Sequence, residues 1–523
     1  MLKSSGAMAA ATLTSRILGM VREMVYARFM GVGWVTDAFL LAFQIPNLFR
    51  RLLGEGALTA AFIPIFKEKE KLHGEKEMWR ASNAVISGLV IMTAIIAAIV
   101  MLVITLALDL HQFPERTELM LRLLRVMFPY LLLVCLAAVL MGMLNARGHF
   151  FIPAMGATML NVVMIASVLW LAPKFGVGLP PGERLPVEIF ALAYGVLAAG
   201  VAQASFQLPT LWRDGFRFRW VPPWGDETVR RVMVKMIPGT IGIAAYQINV
   251  TSVQVLSFWV GTGIVSSFGY AVRLMELPQG MFGISLATYL LPTLSGLAAE
   301  KNYGEFRTTL RHGLSTLIFL NLIASVLLVT LAVPIVRLLF EYGKFDADAT
   351  QKASFALVCL APGLVAFSTA NILVRAFYAM GDTATPMKIS IACLMLNLML
   401  AAVLVEPLRQ GGLGVANTVT SLCNVGLLLF ALRKKLGKLE MESLQTRTLL
   451  LVVFALLAGT FSFGSWWLWE SNLGHATLPL KIGAVFVPAF VAGCLYWLAA
   501  LAFRIPEASE ILEFMLMRFK RKR

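Results

Sequence analysis

Charged residues are scarce in this sequence of 523 residues, where Asp, Glu, Lys and Arg together make up 14%, against roughly a quarter in soluble domains. The apolar residues make up 59% of the chain and come in runs of about twenty, not in heptads or alternating strands. The mean hydropathy is +0.78. This pattern excludes a disordered chain, a coiled coil and an outer-membrane barrel, and it indicates an all-α protein that crosses the membrane many times.

Cysteine and histidine are also rare, with five of each. The cysteines lie inside apolar runs without CxxC spacing, and the histidines lie near segment ends without HExxH spacing, so we expect no disulfide and no metal site. There is no P-loop and no nucleophile elbow, and therefore no sign of ATP hydrolysis or of a catalytic group. The first apolar run is interrupted by Arg16 and Arg22, which is untypical of a secretory signal peptide. We expect a protein without cofactor or enzymatic activity.

The net charge is +16, from 45 Lys and Arg against 29 Asp and Glu. Nucleic acid, anionic lipid headgroups and the positive-inside bias of membrane proteins each explain such an excess. In so apolar a chain the last two are favoured, and no nucleic-acid partner is expected.

Apolar stretches of 18 or more residues, bounded by charges, Gly or Pro, predict about fourteen membrane spans. The predicted spans are 7–30, 35–66, 82–109, 119–146, 152–173, 187–212, 229–259, 265–297, 310–340, 353–379, 385–405, 411–432, 448–469 and 481–503. The second span is too long for one crossing and contains Pro46, Gly54 and Gly56. We therefore expect it to be bent or broken.

Lys and Arg concentrate in alternate loops, which sets the expected orientation. The dense loops and the tail carry Lys67, Lys69, Lys71, Lys76, Arg80, Arg213, Arg217, Arg219, Arg230, Arg231, Arg433, Lys434, Lys435, Lys438 and Arg518 to Arg523. The opposite loops carry only isolated cations such as Arg116, Lys174, Lys344 and Arg409. Both termini are therefore predicted to be cytoplasmic.

A spacing of proline, glycine and proline occurs twice, offset by 233 positions: Pro129, Gly148, Pro153 and Pro362, Gly381, Pro386. Ile45-Pro46 and Leu277-Pro278 match at an offset of 232. Spans one to six thus resemble spans seven to twelve. An even number of spans leaves both copies in one orientation, so we predict two six-helix lobes related by a pseudo-two-fold axis along the membrane normal, with a cleft between them.

These patterns predict the following domains: an N-terminal lobe at 1–213, an interfacial linker at 214–228, a C-terminal lobe at 229–436, helices thirteen and fourteen at 437–503, and a basic cytoplasmic tail at 504–523. The last two spans lie outside the repeat and carry no Asp, Glu, Lys or Arg between 449 and 469 or between 482 and 503. Two interpretations stay open for them, namely two packing helices or an apolar groove for a lipid tail.

Charges at membrane depth are the most informative residues, because each costs about 2.5 to 3.5 kcal/mol at a helix centre. Arg16 lies roughly 13 Å into the first span at 1.5 Å per residue. Glu23 is about 20° from Arg16 around an ideal helix, so these two are predicted to neutralise each other and to leave Arg22 freer.

The second span adds Asp37, Arg50 and Glu55, and the second half adds Arg273 and Glu276 at i, i+3. For Arg273 with Glu276, an ion pair and a binding role stay equally open. Arginine suits phosphate because its planar fork donates two parallel hydrogen bonds and keeps its charge when desolvated. A cleft lined by several arginines indicates an anionic, phosphorylated substrate.

A set of short motifs extends over nearly the whole chain: Thr14 to Gly19, Arg22-Glu23, Thr36 to Phe39, Pro46 to Arg51, Glu55 to Ala57, Phe62 to Pro64, Arg273 to Glu276 before Pro278, Tyr342 to Phe345, and Gly381 to Thr383 before Pro386. In these motifs the sequence resembles the MurJ (MviN) family of lipid II flippases. The resemblance implies the multidrug/oligosaccharidyl-lipid/polysaccharide exporter fold, with fourteen helices in two lobes around a cationic cavity. It also implies that the chain moves lipid II, the undecaprenyl-diphosphate-linked peptidoglycan precursor, from the inner to the outer leaflet of the bacterial cytoplasmic membrane by alternating access.

The same resemblance assigns roles to particular residues. It implies headgroup binding by Arg16, Arg22, Arg50 and Arg273, with Glu23, Asp37, Glu55 and Glu276 as acidic partners in the cavity. It also implies that spans thirteen and fourteen hold the polyprenyl tail, and that lipid II and membrane lipids are the partners of a functional monomer. Some family members bind sodium through carboxylates in helices seven and eleven, but 229–259 and 385–405 contain none, so no sodium site of that type is expected.

Other functions make different demands on these residues. A flippase for another polyprenyl-diphosphate-linked oligosaccharide, such as an O-antigen unit, shares the fold. A multidrug antiporter needs acids to dominate its cavity, a polyprenyl-phosphate enzyme needs an acidic motif for a divalent metal, and a membrane scaffold tolerates loss of the cleft arginines.

Overall fold

The structure is a computed structural model that describes residues 2–54, 57–437, 442–511 and 513. Within these ranges the chain is almost entirely helical and contains no strand. It divides into two compact units, Met1–Ser266 and Ser267–Arg523. The predicted all-α membrane fold is confirmed.

The first unit contains nine helices in its described residues. They are α1 (Leu2–Met30), α2 (Trp34–Phe49), α3 (Ala57–Leu110), α4 (Glu115–Met127), α5 (Tyr130–Ala146), α6 (Phe151–Ala166), α7 (Ala172–Phe175), α8 (Pro181–Arg213) and α9 (Glu227–Val260). Helix α3 is two helices joined at Gly74, whose φ of 81° breaks the helical backbone. Helix α1 packs on α6, α2 on α4, and α3 on α5 and α9. The seventh predicted span therefore packs with the first six.

The second unit begins in the first turn of α10. Its described helices are α10 (Ile264–Pro278), α11 (Ser285–Ala299), α12 (Tyr303–Thr330), α13 (Ala332–Phe340), α14 (Ala347–Leu360), α15 (Gly363–Ala379), α16 (Ala384–Leu408), α17 (Gln410–Leu436), α18 (Glu442–Asn472) and α19 (Leu478–Ala502). Helix α17 packs on α14, α15 and α16, and α12 packs on α15 and α18.

The repeated prolines produce the same local geometry in both units. Pro129 stands at the break between α4 and α5, which bend by 42°, and Pro362 stands at the break between α14 and α15, which bend by 47°. Proline lacks the N–H that continues the helical ladder, so each chain turns at that residue. The glycine that follows has a φ of 88° at Gly148 and 76° at Gly381, a left-handed conformation that favours glycine.

Three short π-helical segments interrupt the long helices. They are Arg50–Gly54 after α2, Ser167–Leu171 after α6 and Gln279–Ile284 after α10. The first and third follow the matched prolines Pro46 and Pro278. The predicted break in the second span is thus found at residues 50–54, where the helix widens by one residue per turn.

The predicted count of fourteen crossings is not confirmed by length and composition. In the part of the chain that the structure describes, nine helices are long and apolar enough to cross a membrane, or eleven if each bent pair is one span. The other three predicted spans are helical as well, in α1, α2 and α9. Helix α1 carries charges along its length, and α2 has only 16 residues before its π-helical end.

Aromatic side chains fill the core of each unit. Phe39, Phe62 and Tyr130 are buried in the first, and Phe319 and Tyr496 in the second. Helix α19 packs on α18 and α18 on α12. The outer faces of α18 and α19 present exposed apolar side chains, among them Leu456, Phe461, Phe490 and Leu498. The last two spans therefore combine a packed face with a face suited to lipid.

Candidate functional site

Arg22 on α1 is held by three neighbours. Its Nη2 atom lies 2.5 Å from Oε1 of Glu23, its Nη1 atom donates to Oδ1 of Asn161 at 3.0 Å, and its guanidinium carbon lies 5.5 Å from the centre of the Tyr26 ring. The side chains of Arg22 and Glu23 are 15% and 11% exposed. This ion pair is largely shielded from water, which strengthens it relative to a surface pair.

The predicted neutralisation of Arg16 by Glu23 is wrong. Glu23 pairs with Arg22 instead, because the long arginine side chain curls back to its sequence neighbour. Arg16 is exposed, and no other residue in the described ranges forms a hydrogen bond or ion pair with its side chain. The side chain of Arg16 is therefore open to solvent, whereas Arg22 is held in an ion pair.

Asn161 was not identified from the sequence, and it connects α6 to α1. Its amide oxygen accepts from Arg22, while its Nδ2 atom donates to the carbonyl oxygen of Ser15 at 3.2 Å. Asn161 is only 6% exposed. The one signal in the sequence was a single amide side chain in an apolar span, which predicts a polar partner because buried polar groups need hydrogen bonds.

Arg50 is the first residue of the π-helical segment and is half-buried. Beside it, Nη1 of Arg51 donates to Oε1 of Gln247 on α9 at 3.3 Å, and the hydroxyl of Thr240 donates to the carbonyl oxygen of Leu52 at 3.4 Å. Helix α9 thus provides a hydrogen-bond donor to one backbone carbonyl of the π-helical segment. Glu55, predicted as an acidic partner, lies outside the described residues.

Asp37 is completely buried, and its carboxylate is engaged by the protein itself. Oδ2 accepts from the backbone N–H of Gly263 at 2.6 Å, and Oδ1 accepts from that of Ser266 at 2.8 Å. Nη2 of Arg116 lies 3.4 Å from Oδ2. A carboxylate that accepts backbone N–H groups at the start of a helix acts as an N-cap. The observed contacts of Asp37 are therefore structural.

Arg116 is not the isolated loop cation that its sequence surroundings predict. Besides Asp37, it donates from Nη2 to the carbonyl oxygen of Gly261 at 2.9 Å, and its guanidinium carbon stacks 3.9 Å from the centre of the Phe258 ring. One arginine thus ties α4 to the ends of α2 and α9.

In the second unit, Nη1 of Arg273 lies 2.9 Å from Oε2 of Glu276. The predicted i, i+3 pair is formed. Its side chains are 48% and 51% exposed, and an exposed pair contributes little to stability, about 0 to 1 kcal/mol. A group that competes for Arg273 therefore loses little by separating the pair.

The basic end of the first unit is neutralised in part by ion pairs. Arg231 on α9 makes two 2.8 Å contacts with Glu68 on α3, and Nη1 of Arg80 contacts Oδ2 of Asp226 at 3.0 Å. Burial raises the pKa of Asp226, but hydrogen bonds from Arg80 and from two backbone N–H groups outweigh it and hold the pKa below its usual range. These pairs fasten α9 to α3.

Metal ligands do not cluster in the parts of the chain seen in the structure, where no three His, Cys, Asp or Glu residues stand close enough to hold an ion.

Long apolar helices, broken by prolines and π-helical segments, define a polytopic membrane protein. The fold matches that of a solved structure titled "Lipid II flippase MurJ, inward closed conformation", with a TM-score of 0.75, 21% identity, and coverage of 95% of this chain and 98% of the other. It also resembles an inward-facing multidrug resistance MATE family transporter of the MOP superfamily, with a TM-score of 0.64, 15% identity, and coverage of 84% and 99%.

The sequence narrows this class to one family. The family model described as "Lipid II flippase MurJ" matches residues 26–482. The chain is 34% identical over 437 residues to "Lipid II flippase MurJ" of Burkholderia cenocepacia, covering 81% of this chain and 82% of the relative. It is 31% identical over 523 residues to "Probable lipid II flippase MurJ" of Rhizobium meliloti, covering 97% and 95%. The chain belongs to the lipid II flippase MurJ family.

Proposed function

We propose that this protein moves lipid II from the inner to the outer leaflet of the bacterial cytoplasmic membrane by alternating access, for cell wall synthesis. The observation that carries the proposal is family membership over most of the chain, joined to arginines at membrane depth that suit a diphosphate. The protein acts as a transporter, without catalysis, and works as a monomer. A flippase for another polyprenyl-diphosphate-linked oligosaccharide is less favoured, because the relatives carry the lipid II name.

Arg16, Arg22, Arg50 and Arg273 bind the diphosphate in this proposal. The physical task is to carry a diphosphate and its sugars across an apolar layer, and guanidinium groups replace part of the lost hydration through paired hydrogen bonds. The exposure of Arg16 and of the Arg273–Glu276 pair supports their assignment, since a diphosphate can approach both guanidinium groups.

Release must follow binding, and the acidic residues serve that step. Glu23 already holds Arg22 at 2.5 Å, so it competes with the diphosphate for the same donors. Glu276 does the same for Arg273. We assign the same role to Glu55. For Asp37 the role requires that its carboxylate exchange the backbone N–H groups of Gly263 and Ser266 for an arginine. Because each arginine can exchange the diphosphate for an internal ion pair, release of the substrate does not limit the rate of transport.

The proposal includes an orientation and a path for the lipid tail. Both termini lie in the cytoplasm, because the dense cationic loops follow the positive-inside rule. The polyprenyl tail stays in lipid along α18 and α19, where exposed apolar side chains such as Leu456 and Phe490 support an apolar groove.

The test is outer-leaflet appearance of lipid II in cells that depend on this protein. Arg16→Ala should abolish flipping at normal membrane abundance, and Arg16→Lys should restore only part of it, because an ammonium lacks the bidentate fork. Arg28→Ala, an exposed cation near the end of the same helix, is the matched control and should flip normally. Normal flipping by Arg16→Ala contradicts the site, and accumulation of a different lipid-linked precursor on depletion contradicts the substrate.

A further inference from the structure

A polar cavity of about 200 Å³ lies in the second unit, where the start of α12, the start of α18 and the segment after α19 meet. Arg311, Ser315, Arg447, Glu507 and Glu510 are among the residues that line it. One water occupies roughly 30 Å³ in the liquid, so this volume accommodates a small polar group. None of the residues proposed to bind lipid II belongs to it.

Glu507 is the buried acid of this cavity, with 2% of its surface exposed. Its Oε1 atom accepts a hydrogen bond from the hydroxyl of Ser315, and Nη1 of Arg447 lies 3.8 Å from the same oxygen. Its Oε2 atom is buried and meets no hydrogen-bond donor in the described parts of the chain. A buried carboxylate oxygen without a donor is costly, so the cavity calls for an N–H or O–H donor at this position.

Arg447 supplies the opposite charge. Its side chain is 43% exposed, and in the described ranges its nearest acceptor, Glu507, lies beyond hydrogen-bond distance. A phosphate group accepts readily from such an uncommitted guanidinium. The cavity thus offers an acceptor in its interior and a phosphate-binding donor nearer its mouth.

The surroundings place this arrangement at a lipid interface. Arg307 donates to the carbonyl oxygen of Leu436 at 3.5 Å, so the start of α12 lies beside the end of α17, which carries Arg433, Lys434 and Lys435. Leu449, two residues after Arg447 on α18, is 67% exposed. Basic residues at a helix end next to exposed apolar side chains are typical of the headgroup region.

We propose that this cavity binds the headgroup of an aminophospholipid, specifically phosphatidylethanolamine. Its primary ammonium donates to Oε2 of Glu507, its phosphate accepts from Arg447, and its acyl chains lie against the outer face of α18. Phosphatidylcholine has a quaternary ammonium that cannot donate a hydrogen bond, and phosphatidylglycerol has no cation to neutralise Glu507. The site therefore favours a headgroup with a primary ammonium, and it stands whether or not the chain flips lipid II.

The experiment is native mass spectrometry of the delipidated full-length protein, titrated separately with phosphatidylethanolamine, phosphatidylcholine and phosphatidylglycerol of matched acyl chains. The wild type should bind one phosphatidylethanolamine about tenfold more tightly than phosphatidylcholine, the effect of one charge-assisted hydrogen bond. Glu507→Gln should reduce that preference to about onefold, and Arg447→Ala should weaken phosphatidylethanolamine binding.

Asp348→Asn is the control for removal of an exposed acid outside the cavity, and it should keep the full preference. Thermal unfolding of each variant without added lipid identifies a folding defect, in which case Ser315→Ala, which frees Oε1 while keeping the carboxylate, should retain the preference. Equal binding of the ethanolamine and choline lipids by the wild type overturns the proposal. So does an unchanged preference in folded Glu507→Gln.

Discussion

Removing Arg22 should damage the protein in a way that removing Arg16 does not. Arg22→Ala leaves the buried Glu23 without the cation that it pairs with. Breaking a buried ion pair by deleting one partner costs about 3 to 5 kcal/mol. The two side chains are still 15% and 11% exposed, so water screens part of this cost. We therefore expect Arg22→Ala to lower the free energy of unfolding by about 2 to 3 kcal/mol. Arg16→Ala deletes an exposed side chain and should change stability by less than about 0.5 kcal/mol.

The assay joins membrane abundance, thermal unfolding in detergent and flipping for each variant. Arg22→Ala should lower abundance and the unfolding midpoint, and the double change with Glu23→Gln should recover most of both, since no uncompensated charge remains. Flipping should stay low in the double variant if Arg22 also binds the diphosphate. An unfolding midpoint for Arg22→Ala equal to that of the wild type, or no recovery in the double variant, would refute the reasoning.

Three further outcomes follow from the described contacts. Arg116→Ala should lower stability by about 2 kcal/mol, because it leaves the fully buried Asp37 without its cation, and an unchanged unfolding midpoint would argue against this role. The hydrogen bonds from Lys435 and from Thr385 hold the pKa of Asp382 well below its usual range. That stabilisation is therefore present above the ordinary aspartate pKa of about 3.9 and is lost as pH falls through the lowered one. At pH 7, Asp382→Asn should thus have a lower free energy of unfolding than the wild type, and this difference should disappear in strong acid. A difference that does not depend on pH would contradict the prediction. Gly381→Ala should cost about 1 kcal/mol through backbone strain alone, as its φ is 76° and open space surrounds it; unchanged unfolding would show that the turn can relax.

The lengths of the apolar runs and the spacing of the prolines predicted much of the helical fold. The repeat around Pro129 and Pro362 predicted matching features, and both prolines stand at bends of similar angle. The number of crossings was harder to predict, because α1 carries charges that make it less apolar than a membrane helix usually is. Composition alone cannot separate a charged span that lines a site from a surface helix.

The pairing of the charged side chains could be predicted from the sequence only in part. Arg273 with Glu276 follows helical spacing, so sequence could predict it. The pair of Arg22 and Glu23 does not follow helical spacing, because adjacent residues on a helix do not normally face each other. It forms because the arginine side chain is long and flexible. Asp37 receives its hydrogen bonds from residues more than 220 positions away, a contact that no local pattern reveals.

The π-helical segments also change how mutational scans of this protein should be interpreted. Each segment inserts one extra residue, so side chains beyond it are rotated by about 100° relative to an uninterrupted helix. In a saturation scan, the periodic tolerance to polar substitution should therefore jump in phase across Arg50–Gly54, and again across Gln279–Ile284. A helical wheel drawn straight through either segment assigns residues beyond it to the wrong environment, so the helix on each side of the segment needs its own wheel.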